Sequence, residues 1–311
     1  MGRKNEVLID EKVADILKNN PKKKKVFNQG YLYILPWFLG FAIFGLFPIC
    51  LSLYMSFTDW PIIGTAKWVG LKNYVNLFSD EKFLESLYVT IRYGLISVPL
   101  TMAASCTVAL VLNSKIKGLS FYRTVYYIPA VVSGVAVGVI WRWILDPGNG
   151  LVNGALGAFG IEGPGWLTDP AWVLPSYLMI AVWGAGGGML TYLVALNEVP
   201  KDLYESANLQ GAGYFKKLFK ITLPLMKSIL YYNLVMGIIG AFKKFTDAYI
   251  LGGAGNQGKY VLLYLYDTAF RNFKMGYASA MSWLLLIVIL LTTMLVFKFT
   301  DFWKYSQKNE E

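Results

Sequence analysis

The sequence predicts an all-α integral membrane protein with six transmembrane helices and with its N and C termini in the cytoplasm. Three observations lead to this fold class. Of the 311 residues, 56% are hydrophobic and only 15% are charged, whereas soluble domains carry about a quarter charged residues. The mean hydropathy is +0.46. The apolar residues also gather in runs of about twenty, the length at which a helix crosses a bilayer.

Six apolar segments are long enough to be membrane spans. In chain order they are residues 31–57, 87–112, 123–145, 171–195, 225–245 and 277–299. The first is too long for a cleaved signal peptide and follows a polar leader. The second and third are separated by about ten residues and are expected to form a helical hairpin. Residues 31–299 are therefore predicted to be one transmembrane domain.

The distribution of Lys and Arg predicts the orientation of these spans. With the N-terminus inside, nineteen Lys and Arg fall on the cytoplasmic side and six on the outer side, while four lie at span ends. Loops rich in Lys and Arg stay in the cytoplasm. The net charge of +10 is thus largely a topology signal, and nucleic-acid binding is not needed to explain it.

Both ends of the chain are predicted to be cytoplasmic tails, residues 1–30 and 300–311. In the first tail, apolar residues recur at helical spacing over residues 6–17, and four lysines occupy residues 22–25. This pattern would suit an interfacial helix beside anionic lipid. The alternative, which we favour, is an ordinary topology signal on a loosely ordered tail.

The residue types exclude several kinds of catalysis. The chain has no histidine and only two cysteines, Cys50 and Cys106, both in apolar runs, so His-based acid–base chemistry and zinc sites are not expected. Gly253 to Lys259 has the spacing of a phosphate-binding loop, but Tyr260 stands where Ser or Thr should bind magnesium. We therefore expect no catalytic residue, no metal and no cofactor in this chain.

The most informative segment lies between the fourth and fifth spans, from Pro200 to Pro224. Pro200 suits the first position of a helix, and Asp202 suits its first turn. Gly211 is expected to end that helix in a left-handed conformation, with Gly213 keeping the joint open and Pro224 starting the next span. The pattern predicts two short helices at an angle, a unit with little core of its own that would dock into a groove of a partner.

This segment resembles the EAA motif of the permease subunits of binding-protein-dependent ABC carbohydrate importers. Glu205, Ala207, Gly211, Ile221, Leu223 and Pro224 match the motif; Ser206 replaces an alanine, and Gln210 stands where many members carry Asp. Further similarity to the sugar-permease branch extends over about residues 30–300, for example in Asp146–Asn153 and Gly165–Pro170.

The resemblance implies a MetI/MalF-like permease fold and a function in importing carbohydrate. The implied cargo is an oligosaccharide, with an acidic one left open; a glycerol-phosphate-type solute and a stand-alone secondary carrier are the alternatives. The implied partners are a second permease in a heterodimer, two ATP-binding subunits that hold ATP and Mg, and an extracytoplasmic solute-binding protein. The implied location is the bacterial cytoplasmic (inner) membrane.

The resemblance also implies roles for particular residues. The loop at 197–224 would couple to the ATPase, with Glu205 as a polar anchor and Gly211 as a hinge. The residues of this coupling loop are Glu205, Ser206, Ala207, Gly211, Ala212, Gly213, Ile221, Leu223 and Pro224.

The candidates for the solute path lie in the third, fourth and fifth spans. They are Ser133, Gly134, Trp183, Gly184, Ala185, Gly187, Asn233, Gly237, Ala241 and Lys244. Trp183 could stack on a sugar ring, and in the fifth span these residues, together with Gly240, are expected to share one helical face. The alternative for each residue is plain packing between helices, which small residues permit.

Lys244 receives two interpretations. Its position in the outer third of the fifth span suits a side chain that extends to the outer interface. Alternatively, its ammonium group selects an acidic solute, because an intramembrane charge indicates function by default.

Overall fold

The computed structural model describes residues 22–61, 64–114 and 117–299. The interfacial helix predicted over residues 6–17 and the predicted tail at 300–311 lie outside these residues. The structure divides between Tyr54 and Met55 into two compact units, which are described in turn.

The first unit is helical. Helix α1 (Lys22–Phe41) continues through a π-helical turn at Ala42–Leu46 into α2 (Phe47–Ser56). The stretch Leu32–Ser56 has 25 residues, and its most apolar part has a mean hydropathy of 2.2 and no buried residue. It coincides with the first predicted span.

The second unit begins with a small hairpin and a short helix. Strand β1 (Thr58–Asp59) pairs antiparallel with β2 (Lys67–Trp68), with Thr58 opposite Trp68. Helix α3 (Lys72–Phe78) follows. The sequence prediction contained no strand, because two residues per strand are too few to establish an alternating pattern.

Helix α4 (Glu81–Leu112) is the longest element, with 32 residues. At 1.5 Å per residue it is about 48 Å long. Asp80 caps its N-terminus, since Asp80 Oδ1 accepts hydrogen bonds from the amides of Lys82 and Phe83 at 3.0 and 3.1 Å. The cap moves the start of the helix six residues before the predicted span at 87.

Twelve further helices complete the described part of this unit. They are α5 (Leu119–Val131), α6 (Gly134–Ile144), α7 (Leu151–Ala158), α8 (Pro170–Trp183), α9 (Gly186–Glu198), α10 (Lys201–Leu209), α11 (Tyr214–Lys217), α12 (Leu223–Leu225), α13 (Lys227–Phe242), α14 (Thr246–Leu251), α15 (Val261–Tyr266) and α16 (Met275–Phe299). Two π-helical segments, Leu218–Thr222 and Asp267–Arg271, join α11 to α12 and α15 to α16.

Among the described residues, three helices are long and apolar enough to span a membrane, and three bent pairs raise the number to six if each pair is one span. The first, second and sixth predicted spans are the continuous helices. The third and fourth are broken, at 99° between α5 and α6 and at 46° between α8 and α9. The fifth follows a 71° bend at Met226, and α13 ends after 16 residues.

Local chemistry explains the two larger breaks. Ser133 has an extended backbone and caps α6 through the amide of Ala136 at 3.3 Å, so α5 cannot continue. Met226 lies between α12 and α13 with ψ near 8°, far from the helical value of about −42°, so the chain turns there. Hydropathy averages over such features, so the sequence prediction treated each region as one straight span.

The core of the second unit follows α4 from end to end. Phe83 packs with Leu77, Val261 and Met281 near its start. Further along, Tyr93 and Val98 belong to a central cluster. At its end, Ala109 and Leu112 pack with Met189, Leu196 and Met226. Helix α4 thus contacts α8, α9 and α13 and fixes their positions.

Small residues permit these contacts. A Cβ on Gly237 of α13 would lie 2.9 Å from Val98 Cγ1, and one on Gly94 of α4 would lie 3.2 Å from Ala241. A Cβ on Gly188 of α9 would lie 2.9 Å from Ser105 Oγ. Lipid tails are as apolar as the side chains of the helices, so the hydrophobic effect does not hold helices together in a membrane. Helices in lipid therefore gain their stability from such close packing.

The close approach at Gly237 gives a testable prediction. We expect Gly237→Val to destabilise the protein by about 1–3 kcal/mol, the cost of overpacking a tight contact. Gly240→Val is the matched control, because a Cβ there meets nothing within 4 Å on the same helix. Thermal unfolding of the purified full chain in detergent measures both. Equal melting temperatures for the two variants would contradict this account of the contact.

Candidate functional site

The first arm of the coupling loop is α10, and its end is defined by Gly211. Gly211 has φ +71°, its amide donates to the carbonyl of Asn208, and the amide of Ala212 donates to the carbonyl of Ala207. This pair of bonds is the Schellman motif, which satisfies the last carbonyls of a helix. Asp202 lies in the first turn. The predicted end of the helix at Gly211 is confirmed.

The second arm is α11, the π-helical segment Leu218–Thr222 and α12. Two side-chain contacts tie the arms together. The hydroxyls of Tyr204 and Thr222 lie 2.8 Å apart, and Lys217 Nζ donates to Asn208 Oδ1 at 2.8 Å. Thr222 is buried. The loop is therefore a defined corner.

Both prolines of the loop differ from their predicted places. Pro200 is the cap residue, with extended backbone, and the helix starts at Lys201. Pro224 lies within the second arm, and the next span begins after the bend at Met226. A proline fits either site, since a missing N–H costs nothing in the first turn of a helix.

The corner exposes several large apolar side chains. Leu209 at the tip is 92% exposed, and Phe215 is 71% exposed. Tyr214, Phe219 and Leu203 are exposed as well. The predicted coupling residues Glu205, Ser206, Gly211 and Gly213 are exposed beside them, while Ala207, Ala212, Ile221, Leu223 and Pro224 are half-buried. An exposed patch of this kind is typical of a protein–protein contact.

Several predicted path residues lie at the helix breaks. Ser133 and Gly134 are exposed where α5 turns into α6. Trp183 and Gly184 are exposed at the end of α8, and Trp183 contacts Trp141 edge-on at 5.7 Å. The carbonyl of Ala185 accepts a hydrogen bond from Ser105 Oγ at 2.6 Å.

Other predicted path residues serve contacts between helices. A Cβ on Gly187 would lie 3.2 Å from Ala130 Cβ. Asn233 exchanges hydrogen bonds with Thr191 at 3.1 and 3.4 Å. Gly237 and Ala241 face α4, as described above. Gly240, expected on the same face, points instead into open space.

Lys244 is ion-paired and buried. Its side chain is only 9% exposed, and Nζ lies 2.6 Å from Asp247 Oδ2. The structure therefore contradicts the expectation that Lys244 extends to the outer interface. Its charge is balanced by Asp247, so Lys244 is not a bare cation.

Three tyrosines surround the Lys244 ammonium group, and the sequence analysis missed them. Nζ lies 4.7, 5.1 and 5.9 Å from the ring centres of Tyr93, Tyr177 and Tyr260. The rings also contact one another edge-on, at 5.2 to 6.4 Å. Aromatic faces stabilise a desolvated cation. The three tyrosines lie far apart in the sequence, so no spacing pattern connects them with Lys244. Asp247, three residues after Lys244, is at a spacing that favours an ion pair.

The fold and the loop together define a class of protein: a multi-span membrane protein with an exposed helical corner between two of its spans. Residues 97–303 match the binding-protein-dependent transport system inner membrane component family. The chain belongs to this family of ABC transporter permeases. It is an integral membrane protein and is itself non-catalytic.

Individual relatives agree with this family. The chain is 38% identical to the probable ABC transporter permease protein YesP of Bacillus subtilis, over 96% of this chain and 98% of that protein. It is 32% identical to the arabinooligosaccharides transport system permease protein AraP of the same organism, over 88% and 89%. A bacterial ABC transporter that imports the acidic polysaccharide alginate has the same fold, with a TM-score of 0.80 and 24% identity over 90% of this chain and 97% of that chain.

The Lys244–Asp247 pair yields a prediction. Lys244→Met would leave Asp247 without its partner. Because the Asp247 side chain is 29% exposed, we expect a loss of about 1.5–3 kcal/mol in stability, the range for a hydrogen bond to a charged group. Lys243→Met is the matched control, because Lys243 is exposed. The double variant Lys244→Met/Asp247→Leu should recover most of the loss. Thermal unfolding decides the matter, and a Lys244→Met variant as stable as Lys243→Met would refute the structural role of the pair.

Proposed function

We propose that this chain is one of two permease subunits of an importer that moves an oligosaccharide into the cytoplasm, driven by ATP hydrolysis on separate subunits. The exposed apolar corner at residues 201–225 carries the proposal. Leu209, Phe215 and Phe219 together form a surface that a soluble partner can cover. ATP and Mg would be held by that partner, and this chain would bind neither.

The corner has the rigidity that a coupling element requires. Its arms are tied by the Tyr204–Thr222 and Lys217–Asn208 contacts. A partner that moves the tip would therefore move both arms as a unit, and the second arm leads directly to Met226, which is buried at the end of α4. Glu205 is exposed on the first arm, where it can serve as a polar anchor.

The cargo is inferred from the relatives. AraP is named for arabinooligosaccharides, and relatives at 32% and 31% identity are named for diacetylchitobiose and for trehalose/maltose. These names favour a neutral oligosaccharide. The pairing of Lys244 with Asp247 favours it too, because an acidic sugar or a phosphate ester would have to displace a carboxylate already at 2.6 Å.

The remaining parts of the proposal follow from the family. A second, different permease would complete the pathway, two ATPase subunits would bind one corner each, and an extracytoplasmic binding protein would deliver the solute. The family description, binding-protein-dependent inner membrane component, supports such a partner and the cytoplasmic membrane as the location. The corner and both termini would then lie in the cytoplasm, as the charge distribution indicates.

Gly211 offers a sharp test of docking. We expect Gly211→Val to abolish co-purification of the ATPase subunit, because a β-branched residue is strained at φ +71°. Gly211→Asn is the matched control: it adds a side chain at the same position, where nothing lies within 4 Å of the Cβ position, but asparagine tolerates the left-handed backbone. If the Gly211→Val chain still retains the ATPase like the control, the docking proposal fails.

Uptake tests the cargo. Proteoliposomes with the assembled importer, ATP inside and the binding protein outside should accumulate arabinotriose, diacetylchitobiose or maltose, and should lose uptake without ATP. Accumulation of glycerol 3-phosphate or an alginate oligosaccharide instead would replace the neutral cargo with an acidic one. Uptake by the chain alone, without ATPase, would favour a secondary carrier.

A further inference from the structure

A polar cavity lies at the start of α4, at the opposite end of this helix from the corner. It has a volume of about 450 Å³ and is bounded by the β1–β2 hairpin, α3, and the segment from α15 to the start of α16. Small-molecule sites typically measure about 300–1,000 Å³. Nearly all the residues that line it are polar: Asp59, Val69, Lys72, Asn73, Asn76, Asp80, Tyr264, Thr268, Asn272, Lys274 and Tyr277.

One wall of the cavity is held rigidly. Asp80 Oδ2 accepts hydrogen bonds from the hydroxyls of Tyr264 and Tyr277 at 3.0 and 2.9 Å. Burial and the hydrogen bond to Asp80 raise the pKa of Tyr264 to about 12, so its hydroxyl stays protonated. Asn73 donates to the carbonyls of Ser56 and Thr58, both at 2.9 Å. These side chains form the frame of the cavity.

A strained residue lies between two residues of the cavity lining. Phe273 has φ +57°, and it is the one non-glycine residue with positive φ in the described part of the chain. It lies between Asn272 and Lys274, which both line the cavity. The amides of Asn272 and Lys274 donate to the carbonyls of Asp267 and Thr268 at 2.9 and 3.0 Å. Strain of this kind persists where the surroundings enforce it, and it clusters at binding sites.

The remaining polar side chains point to the kind of ligand. Asp59, Lys72, Asn76, Asn272 and Lys274 have side chains without a hydrogen-bond or ion-pair partner among the described residues. Two carboxylates, Asp59 and Asp80, balance two lysines in the lining. A site with no net charge and with closely mixed donors and acceptors suits an uncharged, polyhydroxylated ligand better than an anion or a metal ion.

We propose that this cavity is a second saccharide site that binds one end of the oligosaccharide before it enters the helical pathway. The proposal rests on the import function proposed above. Helix α4 supports the placement: the cavity adjoins its N-terminus, the coupling corner adjoins its C-terminal cluster, and about 48 Å of helix separates them. With the corner in the cytoplasm, the cavity faces the side from which the solute arrives.

The test measures binding to the full chain in lipid nanodiscs, without ATPase or binding protein. The probes are the disaccharides arabinobiose, diacetylchitobiose, maltose and lactose. Glycerophosphoethanolamine, a free lipid headgroup, is tested as the competing kind of ligand. Saturation-transfer NMR detects the binding of each probe. At least one disaccharide should bind. Asn272→Leu and Asn76→Leu should each weaken it about tenfold, as expected for one or two lost hydrogen bonds. Asn149→Leu, an exposed Asn outside the cavity, should leave binding unchanged.

The outcomes separate this proposal from the proposed function. Binding of a disaccharide that the two cavity variants weaken and the control does not would support the site. If a leucine variant melts at a lower temperature, Lys274→Met replaces it as the cavity variant, because methionine has a side chain of similar length. Absence of binding by every disaccharide, equal binding by all variants, or binding of the headgroup alone would overturn it. Oligosaccharide uptake by the assembled importer would stand in each of these cases, since it is measured separately.

Discussion

The close packing of α9 and α13 on α4 is the contact on which the rest of the second unit depends. In lipid, helices do not associate to escape water, so stability must come from dense contact. Glycines permit this dense contact: Gly94 faces Ala241, Gly237 faces Val98, and Gly188 faces Ser105. The core clusters follow α4 because every bent span touches it. A larger residue at these points would separate the helices that hold both the corner proposed for coupling and the predicted path.

The helix breaks follow from a second constraint, which is that no backbone group may lack a partner in hydrocarbon. A helix end frees backbone carbonyls, and at two of these ends a neighbouring side chain donates a hydrogen bond to one. Ser105 on α4 donates to the carbonyl of Ala185, between α8 and α9, at 2.6 Å. Tyr177 on α8 donates to the carbonyl of Gly252, where α14 ends, at 2.7 Å. The polar residues of the interior thus stabilise the irregular backbone, and the same Tyr177 ring faces Lys244.

The sequence was sufficient to predict the structure where a local pattern of residues determines it. Hydropathy located the apolar segments, and Gly211 marked the end of α10 because a left-handed residue after a helix is usually glycine. The sequence was insufficient where contacts between residues that are far apart in the chain determine the structure. Gly186 looks like one more small residue in an apolar run, yet its Cβ position is occupied by the carbonyl of Tyr126 on α5. Likewise, nothing near Lys244 in sequence indicates that Tyr93, Tyr177 and Tyr260 would surround it.

The proposed coupling has a physical route through these contacts. The second arm of the corner passes through a π-helical segment into α12, and Thr222 and Met226 are buried at its end. A displacement of the corner therefore acts on Met226, which packs with Ala109 and Leu112 at the end of α4. Helix α13 starts at the next residue and carries Gly237 and Ala241 along α4. Because tightly packed interfaces shift between discrete arrangements more readily than they deform, a small movement at the corner would change how the whole of α13 lies against α4.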